Sequence, residues 1–236
     1  MDNKITRRGY VDTDVFEFSY EKLPLLKKAQ AEIHWLLDKG YPIKNAVEFV
    51  CNHCLLSARQ RIALMRATSA SESIEARKIK KANTCANQIV HIDGFNLIIT
   101  LEVALSGSTL IKCMDGTIRD LAEIRGTYRL IDKTEKAIAI IGEALNRMDI
   151  AGVVFYLDSP VSNTGRLKSK ILELLGDYNY SVKVNLVENA DAILKEKENV
   201  ITTDAIILNE CISWINFTAD ILSDKNYNYI DLSSIS

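Results

Sequence analysis

Three apolar runs of this chain stop on an aspartate: Ile92-Asp93-Gly94-Phe95-Asn96, Tyr156-Leu157-Asp158-Ser159 and Val200-Ile201-Thr202-Thr203-Asp204. Each run reads as a strand that has just ended. In an open α/β sheet the ligand crevice lies outside the carboxyl ends of the strands, so acids far apart in sequence meet there. Carboxylates gathered in this way repel one another unless a cation or protons lie between them, and hard oxygen donors suit Mg²⁺ or Mn²⁺. The expectation is a metal centre serving phosphoryl-transfer chemistry on nucleic acid.

The alternation that carries these acids begins after Ala86. Residues 88–92 read as a strand, 95–105 as an apolar helix, 133–148 as an amphipathic helix and 152–157 as a buried strand. A helix over 162–175, a strand over 181–187, a short helix over 191–195, a strand over 199–203 and a helix over 204–211 continue it. Such βα repetition predicts a parallel sheet flanked by helices. Trp214 to Phe217 would add a last short strand, and residues 224–236 read as a loose polar tail.

The first part of the chain is helical instead. Leu25, Leu26, Ala29, Ile33, Leu36 and Leu37 recur at helical spacing over 21–39, and Gly40-Tyr41-Pro42 stops the run. A second helix follows Pro42, and Ser57 is a good N-cap for a third. The spacing is that of a helix-turn-helix, with Arg59, Arg61 and Arg66 on the third helix and Arg77, Lys78, Lys80 and Lys81 after it. Two short helices on a tight turn are also common in structural bundles, so spacing alone leaves nucleic-acid recognition open. The domains expected are a helical module over 1–87 and an α/β domain over 88–236.

Charge divides along a similar line. Residues 1–88 hold 15 Lys and Arg against 10 Asp and Glu, a net of +5, whereas 89–236 hold 14 against 21, a net of −7. A basic module beside an acidic, cation-requiring one suits a nucleic-acid enzyme, although ordinary solvated helix surface also accounts for the first half. The five dispersed cysteines and the lack of an apolar leader point to reduced thiols and a cytoplasmic protein. No run approaches the length of a membrane span. Cys51-Asn52-His53-Cys54 lacks the second ligand pair of a structural zinc site, and no Walker pattern is present.

Two resemblances follow from the motifs. Asp93-Gly94-Phe95-Asn96, Asn189-Ala190-Asp191-Ala192-Ile193-Leu194 and Val200-Ile201-Thr202-Thr203-Asp204, in that order over the C-terminal 145 residues or so, resemble the PIN and NYN nuclease superfamily. That resemblance implies a PIN-like α/β fold whose acids hold divalent metal and activate water against a phosphodiester. More closely, the whole chain resembles a prokaryotic family of domain of unknown function 434, with a C-terminal part of domain of unknown function 5616. The residues that carry this likeness are Leu37-Asp38-Lys39-Gly40-Tyr41-Pro42, Arg59-Gln60-Arg61, Asp93-Gly94-Phe95-Asn96, Asp115-Gly116-Thr117-Ile118-Arg119-Asp120 and the segment from Asp158 to Leu167. It implies no activity.

The candidate site is therefore Asp93, Asp158, Asp191 and Asp204 as metal ligands and catalytic acids, with Asp191 entering from a helix's first turn. Each has a plainer role available: Asp93 a turn, and the others helix caps. Asp115 or Asp120 would complete a second metal position, although a type I turn opening a helix also explains Asp115-Gly116. Asn96 and Arg119 would support substrate phosphate, as would Ser162, Asn163, Arg166 and Lys168, where a helix start offers free amides. The expected activity is a divalent-metal-dependent nuclease, on RNA ahead of DNA. The alternatives are a non-catalytic nucleic-acid-binding or regulatory protein, and a phosphotransfer enzyme for a small phosphorylated ligand.

Overall fold

The computed structural model describes residues 6–123, 126–223, 227 and 229–234. Five helices come first: α1 (Asp14–Glu17), α2 (Leu23–Asp38), α3 (Ile43–His53), α4 (Ala58–Ala67) and α5 (Ser71–Lys80). The helical spacing read in α2 is its buried face, with Leu26, Ala29 and Ile33 turned inward, and Gly40 leaves it at φ +83°, where a side chain would be strained. A capping box opens α4: Ser57 accepts the Gln60 N–H and the Gln60 side chain accepts the Ser57 N–H, an arrangement worth about 1 kcal/mol. The basic stretch after α4 is itself helical, forming α5.

The remaining elements are β1 (Ile89–Asp93), α6 (Gly94–Leu105), β2 (Leu110–Lys112), β3 (Ile118–Asp120), α7 (Thr134–Asn146), β4 (Gly152–Asp158), α8 (Thr164–Leu175), β5 (Ser181–Val187), α9 (Ala190–Leu194), β6 (Val200–Ile201), α10 (Ala205–Glu210), α11 (Phe217–Ser223) and β7 (Tyr229–Asp231). Four strands make the expected parallel sheet, in the order β5-β4-β1-β6. Period-two alternation sets its two faces. Val153, Phe155 and Leu157 of β4 and Val90 and Ile92 of β1 join one core with α6, α7 and α8, while Tyr156 and Val200 pack with Ala190, Leu194, Ile207 and Leu208 from α9 and α10. The chain leaves β1 to build β4 and β5 on one side and returns to place β6 on the other. That reversal puts the switch point, and hence the crevice, at the carboxyl end of β1.

Three expectations are corrected. The turn at Asp115-Gly116 opens no helix; it joins β2 and β3 in an antiparallel hairpin, with Gly116 at φ +78°. The tail is not loose throughout, because β7 pairs parallel to β2; residues 224–226, 228, 235 and 236 of that tail lie outside the described residues. Trp214 contributes only single bridges, to Val200 and Lys81, and Phe217 opens α11 instead of closing a strand.

The three-stranded sheet β3-β2-β7 joins the two halves of the molecule. Its Ile111, with Cys113, Leu121 and Leu232 beside it, completes the core formed by Leu26, Ile33, Val50 and Leu64, and the buried Gln30 amide donates to the Leu232 carbonyl at 2.8 Å. The helical region therefore shares its core with residues well beyond position 87. Among the described residues no helix is long and apolar enough to cross a membrane.

Candidate acidic centre at the strand ends

Asp93 closes β1 and caps α6, accepting the Asn96 N–H on Oδ1 at 3.3 Å and the Thr202 hydroxyl on Oδ2 at 2.9 Å. The glycine after it is required by close approach and not by a turn. A Cβ on Gly94 would lie 2.5 Å from Leu157 Cδ2 and 3.1 Å from the Tyr156 carbonyl oxygen, so only glycine lets α6 start this close to β4. Asp158 ends the neighbouring strand β4, and its Oδ1 accepts the Ala190 N–H at 2.8 Å, which holds the start of α9 against the crevice. Asp191 lies in the first turn of α9, where its backbone carbonyl accepts the Lys195 N–H at 3.1 Å and its carboxylate makes no hydrogen bond among the described residues. Asp204 follows β6 and caps α10 through the Ile206 and Ile207 N–H groups.

Capping and convergence coexist here. Burial, then the charges of Asp191 and Asp204, push the Asp93 carboxyl up to about 7 against the hydrogen bonds from Thr202 and Asn96. Burial also raises Asp191, followed by the charges of Asp204 and Asp158, with Lys195 opposing. The four acids thus act on one another at the ends of β4, β1 and β6. Among the described residues no three His, Cys, Asp or Glu side chains are disposed together as a metal cage. Their donor type and mutual repulsion fit a hard cation, but the site is not preassembled around one.

Thr202 and Thr203 carry out the alignment, and neither stands out in the sequence. Both are buried. The Thr202 hydroxyl that donates to Asp93 also accepts the Asp204 N–H at 3.1 Å. Thr203 donates from both N and Oγ1 to Asn96 Oδ1, at 2.9 and 3.0 Å. Asn96 is thereby fixed on the wall of a cleft of about 480 Å³ that runs from Asp204 past Arg119 to Met65 and Arg66 of α4.

The other expected positions behave differently. Asp115 is buried between Arg77 and Arg119, and accepts from Thr117 as well. Burial alone would raise its pKa, but Arg119, Thr117 and Arg77 outweigh it and hold the carboxyl below the usual range. It is an ion-network residue and sits outside the set of four. Arg119 reaches the cleft wall with its donors engaged: Nε on the Thr203 carbonyl at 2.7 Å, one terminal nitrogen on the Arg66 carbonyl, the other on Asp115. Asp120 accepts from Thr100, Ala122 and Arg66.

At the loop after β4, the Asn163 amide donates to the Tyr128 carbonyl at 2.6 Å and the Ser162 hydroxyl to the same oxygen at 3.4 Å. Asn163 takes φ +63°, and Thr164 donates back to the Asp158 carbonyl. Arg166 is exposed and Lys168 half-buried, with no ion pair for either among the described residues. Ser162 and Asn163 are thus loop fasteners.

The basic residues of the helical region are also mostly internal. Arg59 grips both oxygens of Asp14 and the carbonyls of Gly9 and Leu121, and Arg61 donates to Asn52 and the Leu56 carbonyl. Arg77 ties Ser69, Asp115, Asn209 and the Ala205 carbonyl together. Sequence shows the charge of such residues but not their partners.

Residues 82–220 match the family model described as Domain of unknown function (DUF5616), and 25–80 match Protein of unknown function (DUF434). The boundary between the two matches lies at α5, whereas the core crosses it. Among relatives, Uncharacterized protein MJ0935 of Methanocaldococcus jannaschii is 32% identical over 201 residues, spanning 84% of this chain and 95% of the relative. No solved structure matches the chain. None of these findings bears on the PIN and NYN resemblance.

Proposed function

We propose that this chain, which belongs to the family described as Domain of unknown function (DUF5616), hydrolyses nucleic-acid phosphodiesters with Mg²⁺ or Mn²⁺, on RNA ahead of DNA. The observation that carries the reading is the gathering of Asp93, Asp158, Asp191 and Asp204 at adjacent strand ends, where charges on two of them raise Asp93 and on two raise Asp191. Carboxylates set against one another in this way are stabilised by a cation. The preference for RNA comes from the PIN and NYN resemblance.

A divalent ion at such a site lowers the pKa of bound water and neutralises charge at a phosphoryl centre. The chain's own contribution is orientation. Thr202 holds Asp93 beside Asp204, Ala190 holds Asp158 beside Asp191, and Asn96, locked by Thr203, faces the cleft where the strand would run.

A phosphotransfer enzyme for a small ligand at the Ser162 loop has less support, because Ser162 and Asn163 already donate to Tyr128. A regulatory nucleic-acid binder shares the acidic centre but would bind metal without turnover. Cleavage assays on tRNA, single-stranded RNA and DNA, each with Mg²⁺, with Mn²⁺ and with chelator, separate these readings. Metal-dependent cleavage of at least one substrate supports the proposal, and metal binding without cleavage of any favours the regulator.

A further inference from the structure

The cleft beside Asp204 is built by both halves of the chain. Met65 and Arg66 come from α4, Ile206 from the first turn of α10, Ile99 from α6, and Asn96 and Asp204 from the acidic end of the sheet. Met65 and Ile206 are 40% and 54% exposed, although both are large apolar side chains bordering a polar crevice. Sharing the cleft with Ile99, they give it apolar walls that a flat ligand would cover.

Charge around the cleft is not random. Arg66 pairs with Asp120, and Arg77 and Arg119 with Asp115, while the charge of Asp204 acts on Arg77 and Arg119 as well. Of the three cations only Arg66 is substantially accessible, its side chain 33% exposed. One Arg66 terminal nitrogen donates to Asp120 and the other to the Ala122 carbonyl at 3.1 Å. A guanidinium has five N–H donors, so Nε–H and one or more terminal hydrogens remain for an outside acceptor. An accessible guanidinium and apolar walls thus share one cleft with Asp204, which combines a phosphate partner, a base platform and an edge of the acidic centre.

We infer that the helical half completes the substrate site: the cleft seats one unpaired nucleotide of a nucleic-acid strand, its base between Met65 and Ile206 and its phosphate on Arg66, beside the phosphodiester at the acidic centre. This rests on the nucleic-acid reading of that centre. At about 480 Å³ the cleft has room for a nucleotide and none for a duplex. The strand must therefore be single-stranded or opened there.

Binding of a fluorescein-labelled, single-stranded oligouridylate to the full chain, in EDTA so that no cleavage or metal is involved, tests the inference. Met65→Glu and Ile206→Glu, both at exposed positions, should each weaken binding about tenfold, the scale of losing one base contact. Leu55→Glu, at an exposed apolar position in the turn between α3 and α4, should bind as the wild type does. A blunt RNA duplex should bind more weakly than the single strand. Wild-type affinity in both cleft variants, no binding by the wild type, or a duplex held as tightly as the single strand would overturn it. The acidic-centre reading fails separately: should Asp93→Asn cleave normally while Met65→Glu still loses the oligomer, the cleft stands and the assignment of the chemistry to the acidic centre falls.

Discussion

Thr202 Oγ1 donates to Asp93 Oδ2 across 2.9 Å, and this one bond joins the end of β1 to the segment that follows β6. The same oxygen takes the Asp204 N–H, so Asp93 and Asp204 are held from a shared atom. A hydroxyl donor favours the carboxylate over the acid. Thr202→Val keeps the shape and removes that donor, so the Asp93 pKa should rise further above about 7. Carboxyl-carbon NMR titration reads the change; an unmoved or lowered pKa would show that the bond does not tune the acid.

The raised Asp93 pKa also makes stability depend on pH. Folded Asp93 keeps its proton where an unfolded aspartate, near 3.8, has lost it, so between these values the folded state binds more protons. Its contribution is fully present below about 3.8 and is lost as pH rises through about 7. The urea midpoint should fall between pH 5 and pH 8 in the wild type and fall less in Asp93→Asn. Millimolar Mn²⁺ at pH 8 should restore part of the wild-type loss. Parallel pH curves for the two proteins would contradict the assignment.

Arg77 joins α5 to the β2–β3 turn and to α10, and its removal takes one of two arginines from the buried Asp115 and leaves the Asn209 amide oxygen and the Ala205 carbonyl without this donor. Arg77→Met should cost about 3–5 kcal/mol by urea unfolding, the cost of breaking a buried pair. The exposed Lys78, paired with Glu75, should change stability by less than about 0.5 kcal/mol when replaced by Gln. Equal small effects would place Arg77 on the surface, as its sequence context suggests.

Gly94→Ala forces a Cβ to 2.5 Å from Leu157 Cδ2. Overpacking of this kind costs about 1–3 kcal/mol and shifts the backbone that carries Asp93. The unfolding midpoint should drop, and Mn²⁺ affinity should drop with it. A neutral substitution would mean that the approach of α6 to β4 is looser than the structure has it.

Much of the scaffold was legible because its elements are long and periodic. The 181–187 strand, the extent of α2 and the starts of α3 and α4 follow from apolar spacing and from Ser57 and Pro42. The order of aspartates at strand ends likewise follows from where apolar runs stop. The hairpin of β2 and β3 does not, because three-residue strands are too short to show a period, and β7 is fixed by a partner more than 100 residues away. The arginines mislead for a related reason: Arg59 and Arg77 find their acids at Asp14 and Asp115, and only tertiary structure reveals that pairing. Thr202 and Thr203 pass unnoticed because their role lies in hydrogen bonds to Asp93 and Asn96, over 100 positions earlier.

The most direct test of the acidic centre is the rate of Mn²⁺-dependent cleavage of single-stranded RNA by the wild type, Asp93→Asn and Asp204→Asn, with circular dichroism recorded on the same samples. Asparagine keeps the shape and removes the charge, so each variant should lose about a hundredfold or more in rate while retaining the wild-type spectrum. Wild-type rates in both variants would contradict the account.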